Sequence, residues 1–67
     1  MIAYERINEL MKEKGIKSNE LARTVGVSKP MMSYILNGLR EPNVVTLVRI
    51  AKVLGCPVDE LIIRDAV

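Results

Sequence analysis

Apolar side chains recur every three or four residues along most of the chain, and glycine or proline separates the periodic segments. This spacing places apolar residues on one face of a helix, whereas a strand requires strict alternation over several residues. The pattern predicts helices at residues 2–14, 18–25, 29–37 and 44–54, and a fifth, short helix at residues 58–63. No segment alternates over the length of a strand, so the sequence predicts an all-α fold without a sheet.

Residues at the predicted helix ends agree with these boundaries. Gly15 and Gly26 follow the last apolar residues of the first two helices, where a left-handed C-cap favours glycine. Ser28 and Asn43 are good N-caps for the third and fourth helices. Ser18 is expected to cap the second helix. The predicted buried face of the fourth helix consists of Val44, Leu47, Ile50, Ala51 and Leu54.

The length of 67 residues allows one compact domain, residues 1–67, with a small core and one functional surface. The single cysteine, Cys56, excludes an internal disulfide and is typical of a reducing, intracellular protein. No apolar run approaches the roughly 20 residues of a membrane span, and the amino terminus lacks the basic-then-apolar layout of a signal peptide. We therefore expect a soluble, cytoplasmic protein.

Catalytic chemistry has little support in the sequence. The chain contains no histidine, so it lacks the usual general base near neutral pH. No cluster of cysteine and histidine could hold a metal. The adjacent Asp59 and Glu60 would point about 100° apart on a helix, so they are interpreted as first-turn charges that favour the helix start. We expect no enzymatic activity, no cofactor and no metal; the net charge of +2 permits nucleic-acid binding without requiring it.

The second and third predicted helices are joined by only three residues, Gly26-Val27-Ser28. Such a turn is too short for an antiparallel hairpin and sets the two helix axes roughly 90–120° apart. The small side chain of Ala22 allows the second helix to cross close to the first. On the third helix only Met32, Ile35 and Leu36 form an apolar stripe, so its opposite face is expected to project from the domain.

Residues 18–38, SNELARTVGVSKPMMSYILNG, resemble the helix-turn-helix of the phage Cro and repressor-type (XRE-like) transcriptional regulators. The matching positions here are Leu21, Ala22, Val25, Gly26, Val27, Met32 and Ile35. The resemblance continues through Asn37-Gly38, Pro42, Leu47, Ala51-Lys52, Leu54-Gly55 and Val58-Asp59-Glu60-Leu61. It implies a compact five-helix, lambda-repressor-like bundle that binds double-stranded DNA as a sequence-specific regulator, most simply a repressor. The third helix is then expected in the major groove, with the second across the backbone.

The resemblance assigns DNA contacts to named side chains. The residues expected to read bases are Lys29, Pro30, Met31, Ser33 and Tyr34. The residues expected to bind phosphates are Ser18, Asn19, Arg23, Ser28, Asn37, Arg40 and Asn43. The sequence departs from the family at Ser18, where a glutamine is common, and at Pro30-Met31, where polar residues are usual. Base recognition is therefore expected to depend on shape and thymine methyl contacts more than on bidentate hydrogen bonds.

These assignments have structural alternatives. Pro30 can serve only to begin a helix, Met31 can be exposed or covered by a partner, and Tyr34 can pack on a neighbouring helix. Arg40 can be a solvated loop charge. The apolar Pro30-Met31 pair also leaves a second function open, that of a protein–protein adaptor or antitoxin-like partner with the same fold.

A domain of this size contacts few base pairs, so we expect a homodimer on an inverted-repeat DNA site. No small-molecule ligand is inferred. The expected interface is the C-terminal region, whose apolar residues exceed what a small core can absorb: Val53, Cys56, Val58, Ile62, Ile63 and Val67. The alternative is a monomer with an apolar tail.

Met11 and Leu36 lie where proteins that this sequence resembles often carry a buried arginine–glutamate pair. Both positions are apolar here, which indicates that the two side chains touch and seal the first helix against the third. The alternative is that both point into the core without meeting. Three basic residues, Arg49, Lys52 and Arg64, are interpreted as ordinary surface charges.

Overall fold

A computed structural model describes residues 1–63, which contain four α-helices followed by one turn of 3-10 helix. The helices are α1 (Tyr4–Lys14), α2 (Ser18–Val25), α3 (Lys29–Leu36) and α4 (Val44–Leu54), and the 3-10 turn spans Val58–Leu61. The predicted all-α class is confirmed. The fifth short helix predicted at residues 58–63 is a 3-10 turn and not an α-helix, so the predicted count of five is off by one. The turn ends at Leu61, because the backbone is extended at Ile62.

The two ends of the described chain pair with each other. Ile2 and Ile62 form an antiparallel bridge. The flanking backbone hydrogen bonds are both 2.8 Å long, from the Ala3 N–H to the Leu61 carbonyl and from the Ile63 N–H to the Met1 carbonyl. Ile2 lies in this bridge and Ala3 is the N-cap residue, so α1 begins two residues later than predicted. The sequence did not predict this pairing because a bridge of single residues shows no alternation.

The core lies between the helices and consists of apolar side chains. Its members are Ile7, Leu10, Met11, Leu21, Ala22, Val25, Met32, Ile35, Leu47, Ile50, Ala51, Leu54 and Leu61. Among residues 1–63 no polar or charged side chain is buried, so apolar burial provides the main stabilisation and no desolvated charge opposes it. No helix in this part of the chain is long and apolar enough to cross a membrane.

Val44 does not join the core as predicted. It is the first residue of α4 and is 76% exposed, and its neighbour Val45 is 59% exposed. The first turn of α4 therefore projects beyond the core, and Leu47 is the first buried residue of the helix.

Side-chain caps begin α3 and α4 where they were predicted. The Ser28 hydroxyl accepts a hydrogen bond from the Met31 N–H at 3.1 Å, and the Asn43 carbonyl oxygen Oδ1 accepts one from the Thr46 N–H at 2.8 Å. Each cap satisfies one backbone donor that the first helical turn leaves unpaired. These caps fix the starts of two helices on the side of the domain where DNA contacts are expected.

Ser18 is not the cap of α2 but its first residue. Lys17 lies at the N-cap, and its N–H donates to the Glu20 carboxylate at 3.4 Å. The lysine side chain carries no hydrogen-bond acceptor, so it cannot accept a bond from the Glu20 N–H. Of the two hydrogen bonds of a capping box, α2 therefore has only the one that the glutamate accepts. The Ser18 hydroxyl is exposed and is not needed to start the helix.

Candidate DNA-binding surface

The turn between α2 and α3 is closed by backbone hydrogen bonds and a left-handed glycine. The N–H groups of Gly26 and Val27 both donate to the Ala22 carbonyl, at 2.9 and 3.0 Å. Gly26 has a φ of 83°, a conformation that side chains disfavour. Val27 is half-buried against the core. These contacts hold α3 at a defined position against α2, as the helix-turn-helix prediction requires.

The face of α3 opposite the core carries the residues expected to read bases. Lys29, Pro30, Ser33 and Tyr34 are all exposed, Tyr34 by 48%. Pro30 occupies the first turn of α3, where it both favours the helix start and presents its ring to solvent. The structure thus brings four of the five candidates together on one open surface.

Met31, the fifth candidate, is half-buried. It lines a groove of about 240 Å³ between α3 and the start of α4, together with Val27, Ile35 and residues of the 40–43 loop. Its apolar side chain is therefore partly covered by the domain itself. Only its remaining surface is available to a thymine methyl group or to another partner.

The residues expected to bind phosphates divide into two groups. Three of them are exposed, and their side chains make no hydrogen bond or ion pair with other residues within residues 1–63. These are Ser18, Arg23 and Arg40. Those whose side chains already make hydrogen bonds are Asn19, Ser28, Asn37 and Asn43. Ser28 and Asn43 act as acceptors in their caps. The side chain of each therefore still has a hydrogen-bond donor for a phosphate oxygen.

Asn37 is placed differently from the other phosphate candidates. Its Nδ2 group donates to the Ser33 carbonyl at 2.7 Å and lies 3.4 Å from the Ser33 hydroxyl. The amide donors that would bind a phosphate are thus directed back to α3, and the free side-chain oxygen is an acceptor. Asn37 is the C-cap residue of α3. The last helical residue is Leu36, one residue earlier than predicted.

The basic residues of this surface have no acidic partner within residues 1–63. Within residues 1–63 both ion pairs involve Arg6, which lies 3.1 Å from the Glu9 carboxylate and 3.7 Å from that of Glu60. Arg23, Lys29 and Arg40 therefore form no ion pair with this part of the chain. Unpaired cations that flank an exposed helix are suited to the phosphates of a nucleic acid.

Contacts from α1 hold the end of α3. The Asn8 Nδ2 group donates to the Leu36 carbonyl at 2.8 Å and to the Tyr4 carbonyl at 3.0 Å. Gly38 follows α3 with a φ of 75°, and a methyl group built on it would lie only 2.6 Å from the Tyr4 ring. The sequence did not show the contacts of Asn8 with Leu36 and of Tyr4 with Gly38, because these partners lie far apart along the chain and no periodicity links them.

Arg49 is exposed, as the sequence indicated, but its side chain also makes a hydrogen bond to another helix. Its Nη1 atom donates to the carbonyl of Val25, the last residue of α2, at 3.2 Å. It thereby joins α4 to the helix that precedes the turn. A basic residue in the polar part of a helix gave no local signal for this contact.

The residues expected at the dimer interface are mostly packed against the domain's own core. Val53, Cys56, Val58 and Ile62 are half-buried there, whereas Ile63 is 48% exposed. Burial raises the pKa of the Cys56 thiol, which keeps it protonated as a small apolar group. The core thus covers part of the surface of these four residues, and their role in a dimer interface stays a prediction. Val67 lies outside the described residues.

Comparison with known proteins supports the arrangement of these helices. The chain has no significant match among curated protein sequences. It is similar to the DNA-binding domain of the P22 C2 repressor, with 32% identity, a TM-score of 0.80 and coverage of 88% of this chain and 78% of that domain.

Two further solved structures show the same fold. The N-terminal DNA-binding domain of SinR from Bacillus subtilis is 34% identical, with a TM-score of 0.77 and coverage of 85% and 84% of the two chains. The restriction-modification controller protein C.AhdI from Aeromonas hydrophila is 25% identical, with a TM-score of 0.80 and coverage of 88% and 89%.

A sequence model of the Cro/C1-type helix-turn-helix DNA-binding domain matches residues 6–66. The match includes both helices of the motif, the turn between them and α4. It therefore covers the elements that present the exposed face of α3 to solvent. The chain belongs to the Cro/C1-type helix-turn-helix DNA-binding family.

Proposed function

We propose that this DNA-binding transcriptional regulator reads its site with α3 in the major groove and acts as a repressor. The observation that carries the proposal is the exposed first turn of α3, with Lys29 and Pro30 directed away from a fully apolar core. Arg23 and Arg40 are exposed and form no ion pair within residues 1–63, so their charges could neutralise phosphates. The likeness to the P22 C2 repressor domain supports repression as the outcome.

In vitro selection from random duplex DNA, followed by titration of the selected site at several salt concentrations, tests this function. A dimer that makes about six phosphate contacts should give a log Kd against log salt dependence with a slope magnitude of about 5. A random-sequence duplex should bind more weakly. Failure to enrich any sequence, together with salt-independent binding, would favour the adaptor alternative instead.

Lys29 and Arg40 should affect DNA binding in different ways. Lys29→Ala should cost about 1–3 kcal/mol at the selected site and relax the preference at one base position, because a base-edge donor is lost. Arg40→Ala should weaken all sequences alike and lower the salt slope by about one, because a phosphate contact is lost. Repeating the selection with each variant checks both expectations, and an unchanged motif with Lys29→Ala would contradict the proposed reading face.

We also propose that the chain acts as a homodimer on an inverted repeat, in the cytoplasm. A single copy presents only one short reading helix, and two-fold symmetry in the protein requires symmetry in the site. The exposed Ile63 supports a C-terminal contact. The selected sequences should therefore contain two inverted half-sites, and sedimentation should show two chains for each duplex; one half-site with one chain would contradict the dimer.

A further inference from the structure

Arg49 projects from the middle of α4 to the carboxyl end of α2. Its Nη1 atom donates to the Val25 carbonyl at 3.2 Å, and the contact is partly buried. The last carbonyls of a helix have no partner within the helix and carry its partial negative charge. A guanidinium at this position therefore makes a charge-assisted hydrogen bond and also offsets the dipole of α2.

The same guanidinium lies against the turn that leads into the reading helix. A methyl group built on Gly26 would be 3.5 Å from Nη1, which is van der Waals contact. The Ala22 carbonyl already binds the two N–H groups of the turn. The turn is thus held by backbone hydrogen bonds to α2 and by the contact with the Arg49 side chain of α4.

No acidic side chain competes for Arg49 within residues 1–63, where both ion pairs belong to Arg6. The Val25 carbonyl is the partner that the structure shows for its charge. The start of α4 follows the Asn43 cap, next to the loop that carries Arg40. One rigid helix therefore connects the proposed phosphate-binding loop with the turn that starts α3.

We propose that Arg49 is a positioning residue for DNA recognition. Its bond to Val25 holds the turn between α2 and α3 at a fixed distance from α4. The base-reading turn of α3 and the phosphate-binding start of α4 then meet the duplex in register. The inference rests on the proposed function, and it assigns a role in specificity to a side chain that is not among the proposed DNA contacts.

Three variants of the full chain test this role. Arg49→Met removes the donor and the charge but keeps the apolar stem, and Arg49→Lys keeps a charged donor. Lys52→Met is the matched control, because Lys52 is an exposed cation in the last turn of the same helix. Binding to the selected duplex and to a random-sequence duplex is measured well below the melting temperature of each variant, as determined by circular dichroism.

Arg49→Met should raise the Kd for the selected duplex about tenfold, which is about 1.4 kcal/mol. The Kd for the random duplex and the salt slope should equal those of Lys52→Met, since non-specific binding needs phosphate contacts without exact register. Arg49→Lys should recover most of the discrimination between the two duplexes. This rescue is not expected if Arg49 acts only through its contribution to packing.

Several results would overturn the inference and leave the proposed function intact. Equal weakening on both duplexes with a salt slope lower by about one would make Arg49 a phosphate contact. A lower melting temperature with unchanged discrimination would make it only a stabilising residue. If Arg49→Met does not fold, Arg49→Gln provides the same comparison, and unchanged discrimination in that variant overturns the inference. A wild-type chain that binds no duplex would refute the proposed function itself, and with it the role of Arg49.

Discussion

Replacing Met11 by arginine should destabilise the domain by about 3–5 kcal/mol, because it would place an unpaired charge in an apolar core. Met11 is 6% exposed, and no buried polar side chain within residues 1–63 could pair with the new guanidinium. A small domain of this length has a total stability of roughly 3–10 kcal/mol. Thermal unfolding followed by circular dichroism should therefore show a large fall in melting temperature. Met1→Arg is the control, since Met1 is 81% exposed.

A second charge at position 36 should recover much of this loss. Leu36 is half-buried against the core, and the Asn8 side chain holds the Leu36 backbone to α1. Leu36→Glu alone should destabilise, and the double variant with Met11→Arg should be more stable than the sum of the single effects predicts. Simple additivity would mean that the two side chains point into the core without meeting.

Replacing Gly38 by alanine should cost about 2–4 kcal/mol, through two separate effects. A positive φ of 75° disfavours any side chain by roughly 1–2 kcal/mol. The added methyl group would also lie 2.6–2.9 Å from three carbons of the Tyr4 ring, so the ring or the loop must shift. Chemical denaturation of the variant measures the total.

Gly15→Ala separates the two effects. Gly15 has a similar φ of 67°, but apart from its neighbours in the chain no atom of the described residues lies within 4 Å of the position of the new methyl group. Its substitution should therefore cost only the backbone term, about 1–2 kcal/mol. In a Tyr4→Ala background the extra cost of Gly38→Ala should disappear. Equal losses of stability for Gly15→Ala and Gly38→Ala would show that the Tyr4 ring moves aside at no energetic cost. The close packing of Tyr4 against Gly38 would then contribute nothing.

The local elements of this fold could be predicted from the sequence because their causes are local. The bounds of α2 and α4 agree with the prediction, and the caps at Ser28 and Asn43 make the expected hydrogen bonds. Periodicity, caps and glycines act within a few residues, so a single sequence shows them. The helix-turn-helix followed from the three-residue connection and from the apolar positions around it.

Other features depended on which helices meet in space. The contact of Arg49 with Val25 and that of Asn8 with Leu36 join residues 24 and 28 positions apart, and no local pattern distinguishes these polar side chains from solvated ones. Val44 has the correct helical spacing for burial, yet the first turn of α4 extends past the core. The sequence determined the helices and the exposed face of α3. Tertiary packing decided which side chains hold α3 in place, because contacts between helices depend on distances that periodicity does not encode.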